Sequence, residues 1–473
     1  MNSKFVSTTR LPLLARLNAR PPAARAQKGT GYRVTFTWHL AVAVLCLAYM
    51  SIPLLSYYGH DVKSLWPLFV IWAFLLLLDR STDWAQIFAL FRRQQFPLLM
   101  LCCWIAIILL NTLLGRGYSG DQHLYSTITT ITVLLMAMYY SSRPDASYRV
   151  LAIAVICFQG FESLRALPQL LAGSNLARAI VADPSLVLTA AKQGIHGYES
   201  YTVLAILLPC LVAWALTARG MSRVLLIIAC TGIALSIVFA TYTAAFFLMI
   251  GGLVIYMLCT LTTSRHRFVF LGIVLGLALV IGFLWTAFVQ SNTQVQFVVN
   301  KAQKLAMGVS SSGVVEGDES GRGKRFMASL DTFLEHPLVG VGPITGKDNP
   351  LLYVNGGIIG GHATWVDQSA EYGILGFGFY IAFIIASAWI VVKDYHRSRS
   401  TLNMARIIST LLFVITGFID PVLIGGTGIA IFSYFFIFGF TPFTREQRPT
   451  ATAGGSPAAL LNARRMRGVP EAG

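Results

Sequence analysis

Long apolar runs separated by short polar segments recur along most of the chain, and they constrain its fold more than any other feature. A helix needs about twenty apolar residues to cross the hydrocarbon core of a bilayer, and the sequence contains about twelve runs near that length. They lie at residues 36–56, 64–78, 97–114, 124–140, 148–169, 199–217, 223–240, 242–262, 268–289, 366–392, 403–419 and 422–441. With 55% hydrophobic and 12% charged residues, we predict an all-α polytopic membrane protein with about twelve transmembrane helices.

Basic residues at the ends of the runs predict the orientation. If both termini are cytoplasmic, most of the 36 Lys and Arg residues fall on the inner side, and every short inner connection is basic. Cytoplasmic loops of membrane proteins carry such an excess. The net charge of +16 is spread over span ends rather than gathered on one soluble face, so we predict no nucleic-acid binding.

The spacing of the runs divides the chain into five parts. The second run is short, and the gaps near 241 and 420 are narrow, so eleven or thirteen spans also fit the pattern. The expected parts are a basic cytoplasmic tail at 1–35, transmembrane helices 1–9 at 36–289, a long outer loop at 290–363, transmembrane helices 10–12 at 364–441 and a disordered cytoplasmic tail at 442–473.

A cationic cluster in the outer loop is the first candidate site. Arg322, Lys324 and Arg325 directly precede an amphipathic pattern that predicts a helix ending at Pro337. The apolar positions of that pattern are Phe326, Leu330, Phe333 and Leu334. The start of a helix already favours anions, so three cations there are unfavourable unless an anion joins them. The cluster indicates a phosphate-bearing ligand, which Arg can clamp with two hydrogen bonds; the alternative is a solvated cluster or one that faces lipid headgroups.

The second candidate is His362, which stands at the end of the loop after Gly360 and Gly361. Thr364 and Asp367 have the spacing of a capping box, so His362 is expected at or before a helix N-terminus. That position disfavours an imidazolium and keeps the ring neutral, able to accept a proton. The glycine pair would let the chain approach a ligand closely. A purely structural His is the alternative.

Arg165 is the third candidate, because a cation inside an apolar span is costly and is usually paired or functional. Glu162 lies three residues earlier on the same helical face, so an internal ion pair is one interpretation. The other is that Arg165 lines a cavity open to the outer side. His196 and His336 are expected to have local structural roles.

Aromatic residues and missing motifs add weaker constraints. Four aromatic residues could stack on sugars but are more typical of interface belts: Tyr198, Tyr201, Tyr353 and Trp365. No phosphate-binding loop, dinucleotide fingerprint or zinc motif occurs in the sequence. We therefore predict a reaction on a phosphate-bearing substrate that uses neither a metal nor a cofactor.

Four elements together resemble the O-antigen ligase and polymerase superfamily of bacterial inner-membrane glycosyltransferases. They are Gly321-Arg322, the run FLEHPLVGVG at 333–342, His362, and EYGILG at 371–376. The resemblance covers about residues 320–380. It implies a GT-C-like enzyme that takes a glycan en bloc from an undecaprenyl-diphosphate carrier to an acceptor hydroxyl, with its catalytic loop at 290–363 in the periplasm and both termini in the cytoplasm.

The resemblance also implies roles for particular residues. Arg322 matches the family's loop Arg that engages the diphosphate, and His362 matches its essential His, proposed to activate the acceptor. Lys324 and Arg325 are expected to assist at the diphosphate, and Asp367 and Glu371 to support the site. The implied partners are the lipid-linked oligosaccharide donor, a glycan or lipid A-core acceptor, membrane lipid and a chain-length regulator protein.

Two departures from the family pattern bear on the reaction. Where the family often places a Ser-Arg pair, this chain has Thr241-Tyr242-Thr243, so a second diphosphate Arg has to come from elsewhere, with Arg325 and Arg165 as candidates. Ligases often show His-Asn where this chain has His362-Ala363. That favours a polymerase of polysaccharide repeat units over a ligase, and a lipid-glycan transporter is a third alternative.

Overall fold

The computed structural model describes about half of the chain. The described residues are 37–53, 66–79, 94–114, 147–172, 184–240, 242–263, 322–342, 353–354, 357–358 and 363–418, with 55, 88, 92, 136, 139, 140 and 176. Their helices are α1 (Trp38–Ser51), α2 (Trp66–Leu78), α3 (Gln95–Leu113), α4 (Ser147–Leu171), α5 (Val187–Lys192), α6 (Tyr198–Thr217), α7 (Met221–Phe239), α8 (Thr243–Thr263), α9 (Arg322–Glu335), α10 (Thr364–Arg397) and α11 (Thr401–Thr416). A single 3-10 turn, Pro184–Leu186, precedes α5.

Two very short strands accompany α9. β1 (Tyr353–Val354) and β2 (Gly357–Ile358) pair antiparallel, with Tyr353 opposite Ile358, and both contact α9. Each strand has only two residues, so helices still form the fold of the described residues, as predicted.

Six of the described helices are long and apolar enough to cross a membrane. They are α3, α4, α6, α7, α8 and α10, while α1, α2 and α11 are shorter apolar helices. The predicted runs at 268–289 and 422–441, and most of 124–140, lie outside the described residues. The structure thus agrees with a helical membrane protein, and the total of about twelve spans stays a prediction.

Helix α6 lies at the centre of the described bundle and packs against α7, α8 and α11. It is the most buried of the six candidate spans. Beside it, α4 and α7 run parallel and approach closely where Gly160 faces Ala229. Small residues at such contacts allow helix backbones to pack together in a membrane, where apolar burial alone favours no helix pair over lipid.

Helix directions place several predicted site residues at one end of the bundle, called here the Thr364 end after the start of α10. Helices α10 and α11 form an antiparallel hairpin, and Trp365 near the start of α10 donates from Nε1 to the carbonyl of Val414, 3.0 Å away. Helix α8 runs antiparallel to α11 and parallel to α6, and the rings of Tyr201 and Tyr242 lie 5.8 Å apart. The starts of α6, α8 and α10 therefore share the Thr364 end.

Helix α10 is broken at Gly373, and the segment 337–342 after α9 fills the break. Gly373 has a φ of 62°, outside the helical range. In a regular helix the carbonyls of Ala370 and Glu371 would accept hydrogen bonds from the N–H groups of Ile374 and Leu375. Here all four groups form hydrogen bonds with residues 337–342 instead. Val341 N and Gly342 N donate to the carbonyls of Ala370 and Glu371 at 3.1 and 2.8 Å, and Ile374 N and Leu375 N donate to the carbonyls of Pro337 and Leu338 at 2.7 and 3.3 Å. We call this four-bond contact the clasp.

Two glycines make the clasp sterically feasible. Gly340 lies at a φ of 68°, and a Cβ there would stand 2.3 Å from the carbonyl oxygen of Glu371. A Cβ on Gly373 would stand 2.4 Å from the carbonyl carbon of Leu338. Both positions combine a left-handed φ with close backbone contact, so only glycine fits them without displacing main chain.

We predict that Gly340→Ala destabilises the protein. Backbone strain of this kind costs about 1–3 kcal/mol by itself, and the contact with Glu371 adds to it. The melting temperature of the purified protein in detergent should fall by several degrees. Gly378→Ala is the matched control, because a Cβ on Gly378 meets no described residue within 4 Å and alanine favours a helix interior. Equal melting temperatures for the two variants would contradict this role of Gly340.

Candidate functional site

The clasp holds α9 alongside the first part of α10, with both helices running in the same direction. Ser329 of α9 contacts Asp367 of α10, and further along Leu338 bonds to Leu375. Arg322 begins α9 about 10 Å before Ser329, whereas Thr364 begins α10 about 5 Å before Asp367. The first turn of α9 therefore projects beyond the start of α10, and the positive ends of both helix dipoles lie at the Thr364 end.

Asp367 connects the two helices to the end of the loop. Its Oδ1 accepts a hydrogen bond from Ser329 Oγ at 2.9 Å, and its Oδ2 accepts one from the backbone N–H of Ala363 at 3.2 Å. Asp367 lies inside α10, and its carboxylate caps the N-terminus of that helix, as the sequence predicted. The N-cap residue is Ala363, whereas the capping-box spacing had indicated Thr364. Ala363 is the neighbour of His362, so Asp367 fixes the main chain next to that residue.

The side of α9 that meets α10 is small and polar. Ala328, Ser329 and Thr332 are buried there, and Thr332 Oγ1 donates to the carbonyl of Ala328 at 2.8 Å. Ser329 is not among the site residues predicted from the sequence. Its signal was the spacing of small residues at 328, 329 and 332, which marks a helix side suited to close packing.

Glu371 is buried one turn after Asp367, with 2% of its surface exposed. Its Oε2 accepts a hydrogen bond from Gln368 Nε2 at 2.9 Å, while its main-chain carbonyl is part of the clasp. The oxygen of the Gln368 amide is buried and has no hydrogen-bond partner among the residues that the structure describes. Glu371 therefore supports the break in α10 from both its side chain and its backbone.

The other predicted residues of this region are described in part. For Arg322, Lys324 and Arg325 the structure describes the main chain, which forms the first turn of α9. His362 lies outside the described residues. The roles of all four residues remain predictions. The clasp and Asp367 nevertheless bring the two chain segments that carry them to the same end of the bundle.

Among the described residues, Arg165 donates hydrogen bonds to protein oxygens. Its Nε and Nη2 donate to Glu162 Oε2, Nη1 donates to the carbonyl of Lys192 at 2.8 Å, and Nη2 also donates to the carbonyl of Ala191 at 3.0 Å. These carbonyls end α5, where a cation is favourable. The contacts favour the ion-pair interpretation of Arg165, which fastens the loop before α6 to α4.

His196 lies in that loop and is buried against Tyr201, with ring centroids 5.9 Å apart. Its Nε2 has no hydrogen-bond partner in the part of the chain that the structure describes. Burial lowers the pKa of His196 to about 4, and the nearby Arg165 cation adds to the decrease. The ring is therefore uncharged at neutral pH, and its contacts match the local structural role predicted for it.

Two aromatic residues expected at the surface are in the core instead. Trp365 is 6% exposed and Tyr201 is fully buried. The Trp365 ring packs against Gly417, where a Cβ would stand 2.3 Å from it, and contacts Phe413. Both residues hold helices together at the Thr364 end, so neither the interface belt nor sugar stacking describes them.

We predict that Asp367→Ala loosens the start of α10. The change removes the acceptor for Ala363 N–H and one hydrogen-bond partner of the buried Ser329 hydroxyl, and loss of a helix cap costs about 0.5–2 kcal/mol. Hydrogen exchange measured by mass spectrometry should become faster in peptides that cover residues 363–367. The control is Ser369→Ala, because Ser369 Oγ bonds to Val366 within the same helix. Unchanged exchange in Asp367→Ala would contradict the cap.

We also predict that His196 makes the protein less stable in acid. Its pKa is lower in the folded state than the usual value of 6.5, so the unfolded chain binds the proton more readily. Stability is complete above pH 6.5 and decreases as pH falls towards 4, by up to about 3 kcal/mol.

The measurement is the melting temperature between pH 7 and 4.5 for the wild type and for His196→Phe. The variant should lose less stability over this range than the wild type does. His336→Gln, at an exposed position, should retain the wild-type profile. Parallel profiles for the wild type and His196→Phe would show that His196 does not contribute.

One family comparison covers this region. Residues 229–381 match the family model described as O-Antigen ligase, a range that includes α8, α9 and the clasp. No curated protein matches the chain. The family match includes the motifs at 333–342 and 371–376, which the structure joins through main-chain hydrogen bonds. This match supports the resemblance of residues 229–381 to the O-antigen ligase and polymerase superfamily.

Proposed function

We propose that this protein transfers a glycan en bloc from an undecaprenyl-diphosphate carrier to a hydroxyl of an acceptor glycan. The reaction would polymerise O-antigen, capsule or exopolysaccharide repeat units on the periplasmic side of the bacterial inner membrane. The family match supports an enzyme of the glycosyltransferase type. The parallel arrangement of α9 and α10 is the observation that carries the proposal.

The start of α9 suits a diphosphate. The positive dipole ends of α9 and α10 lie at the same end of the bundle, and the first turn of α9 projects beyond the start of α10. Arg322, Lys324 and Arg325 occupy the first turn of the projecting helix. A diphosphate would offset the repulsion among these three cations, and the proposed clamp would consist of the three residues and the helix end. We leave Arg165 outside this clamp because its donors bond to Glu162 and to the end of α5.

The segment before α10 suits an acceptor hydroxyl. Asp367 holds the N–H of Ala363, which fixes the main chain directly after His362. A position before a helix N-terminus disfavours the imidazolium, so His362 would be neutral before reaction and able to accept a proton. We assign His362 the role of general base.

The proposed reaction proceeds in one displacement. His362 takes the proton of the acceptor hydroxyl, whose oxygen forms a bond to the anomeric carbon as the bond from that carbon to the diphosphate oxygen breaks. Undecaprenyl diphosphate leaves, and the cations of α9 stabilise its developing negative charge. The anomeric configuration inverts. The chemistry as proposed needs no metal and no sugar nucleotide.

The ligase is the second candidate, because the matching family model is described as O-Antigen ligase. In that case lipid A-core would be the acceptor. The change from His-Asn to His362-Ala363 favours the polymerase. A transporter is less well supported, because the broken turn of α10 is filled by protein through the clasp, whereas transporters use broken helices to face a substrate cavity.

We predict that Arg322→Ala and His362→Ala each lower glycan transfer about a hundredfold or more, because the first removes a charge at the leaving group and the second removes the base. Purified protein would be reconstituted with a lipid-linked oligosaccharide, and products would be analysed by gel and mass spectrometry. Arg397→Ala and His336→Ala are controls at exposed positions that the structure describes, and both should retain activity. Near-normal product from either Arg322→Ala or His362→Ala would remove that residue from the mechanism.

The same reconstitution distinguishes the candidate functions. A polymerase produces chains of repeat units on the lipid carrier, and a ligase produces glycan joined to lipid A-core. A transporter moves substrate without forming a new bond. Absence of any new glycosidic bond with either acceptor would overturn the proposed activity.

A further inference from the structure

The outward side of α9 is strongly apolar, although this helix lies in the loop predicted to be outside the membrane. Phe326, Met327 and Leu334 are 39%, 52% and 66% exposed. At 100° per residue they lie opposite the buried side formed by Ala328, Ser329 and Thr332. Helix α9 therefore packs on α10 through its small polar side, and its apolar side remains partly exposed.

This apolar side continues onto α10. Leu338 follows α9 and is 66% exposed, and the clasp joins it to Leu375, which is 45% exposed. Ile374, next to Leu375, is 56% exposed. Both α10 residues belong to a candidate membrane span. The exposed apolar surface of that span and the outward side of α9 thus form one strip, which we call the apolar strip: Phe326, Met327, Leu334, Leu338, Ile374 and Leu375.

The other end of the apolar strip lies next to the first turn of α9, which contains three cationic residues. Helix α9 is 14 residues long, or about 20 Å, and its first turn contains Arg322, Lys324 and Arg325. A ligand that followed the strip from the membrane would contact apolar side chains along its length and reach cations at its head. An isoprenoid chain that ends in a diphosphate has this order of chemistry.

We propose that the apolar strip binds the isoprenoid chain of the lipid-diphosphate donor. The inference rests on the proposed function, since it assigns the lipid part of the same substrate. The strip is continuous with a membrane span at one end and with cations at the other, which suits this lipid better than a partner protein. If α9 instead contacted membrane phospholipid in general, changes in the strip would affect long-chain and short-chain donors equally.

The test compares donors that carry the same glycan diphosphate on a long undecaprenyl chain or on a short, water-soluble isoprenoid. In Met327→Gln/Leu334→Gln, the KM for the long-chain donor should rise roughly tenfold, because two apolar contacts with the chain are lost. The KM for the short-chain donor and kcat with either donor should stay near the wild type. Ile385→Gln changes an exposed residue of α10 away from the strip and should behave as the wild type with both donors.

Two outcomes would overturn the inference. An unchanged KM for the long-chain donor would show that the strip does not hold the chain. Equal losses with both donors would show that α9 acts through folding or through contact with membrane phospholipid.

A second measurement does not depend on catalysis. An undecaprenyl diphosphate with a photoreactive group in its chain should crosslink to peptides covering residues 326–338, and excess unlabelled lipid should suppress the crosslink. Failure of the proposed function would appear as an inactive wild type that still crosslinks. Failure of this inference would appear as an active wild type without crosslinks to these residues.

Discussion

The clasp between residues 337–342 and the break in α10 is the interaction on which the rest of the site depends. A break in an apolar helix leaves backbone N–H and C=O groups that no water can satisfy inside a bilayer. Here the two missing helical bonds around Gly373 are replaced by four bonds to the inserted segment. The insertion therefore makes the broken helix tolerable, and it also fixes the direction and position of α9. The bond between Ser329 and Asp367 follows from that placement.

The helices were predictable from the sequence because their causes are local. Apolar runs indicated the spans, and the amphipathic pattern with Pro337 indicated α9, which ends at Glu335. The sequence also showed that two separate motifs, at 333–342 and 371–376, resemble the family. It did not show that the two segments are in contact. Main-chain hydrogen bonds between distant segments leave no side-chain signature except the glycines that make room, here Gly340 and Gly373. The sequence also did not show which side of α9 packs against protein, since an apolar pattern does not reveal whether protein or lipid covers that side.

Arg165 and His196 show a different limit of sequence reasoning. The sequence correctly offered Glu162 as the partner of Arg165, because a spacing of three residues places them on one helical face. The other partners are carbonyls at the end of α5, which no spacing rule identifies across such a sequence separation. Charge inside an apolar span is often functional, yet here the same charge is used to fasten a loop. A buried, uncharged His196 then follows from the loop's position against Tyr201.

The clasp consists of main-chain hydrogen bonds, so it restricts which amino acid can stand at only a few positions. Glycine is required at 340 and 373 by the backbone geometry. The side chains around these positions can change while the clasp keeps its shape. Proteins that keep these two glycines can therefore share this architecture with little overall sequence identity. Searches for such relatives should give weight to a paired glycine signature on two separated segments, rather than to similarity averaged over the whole length.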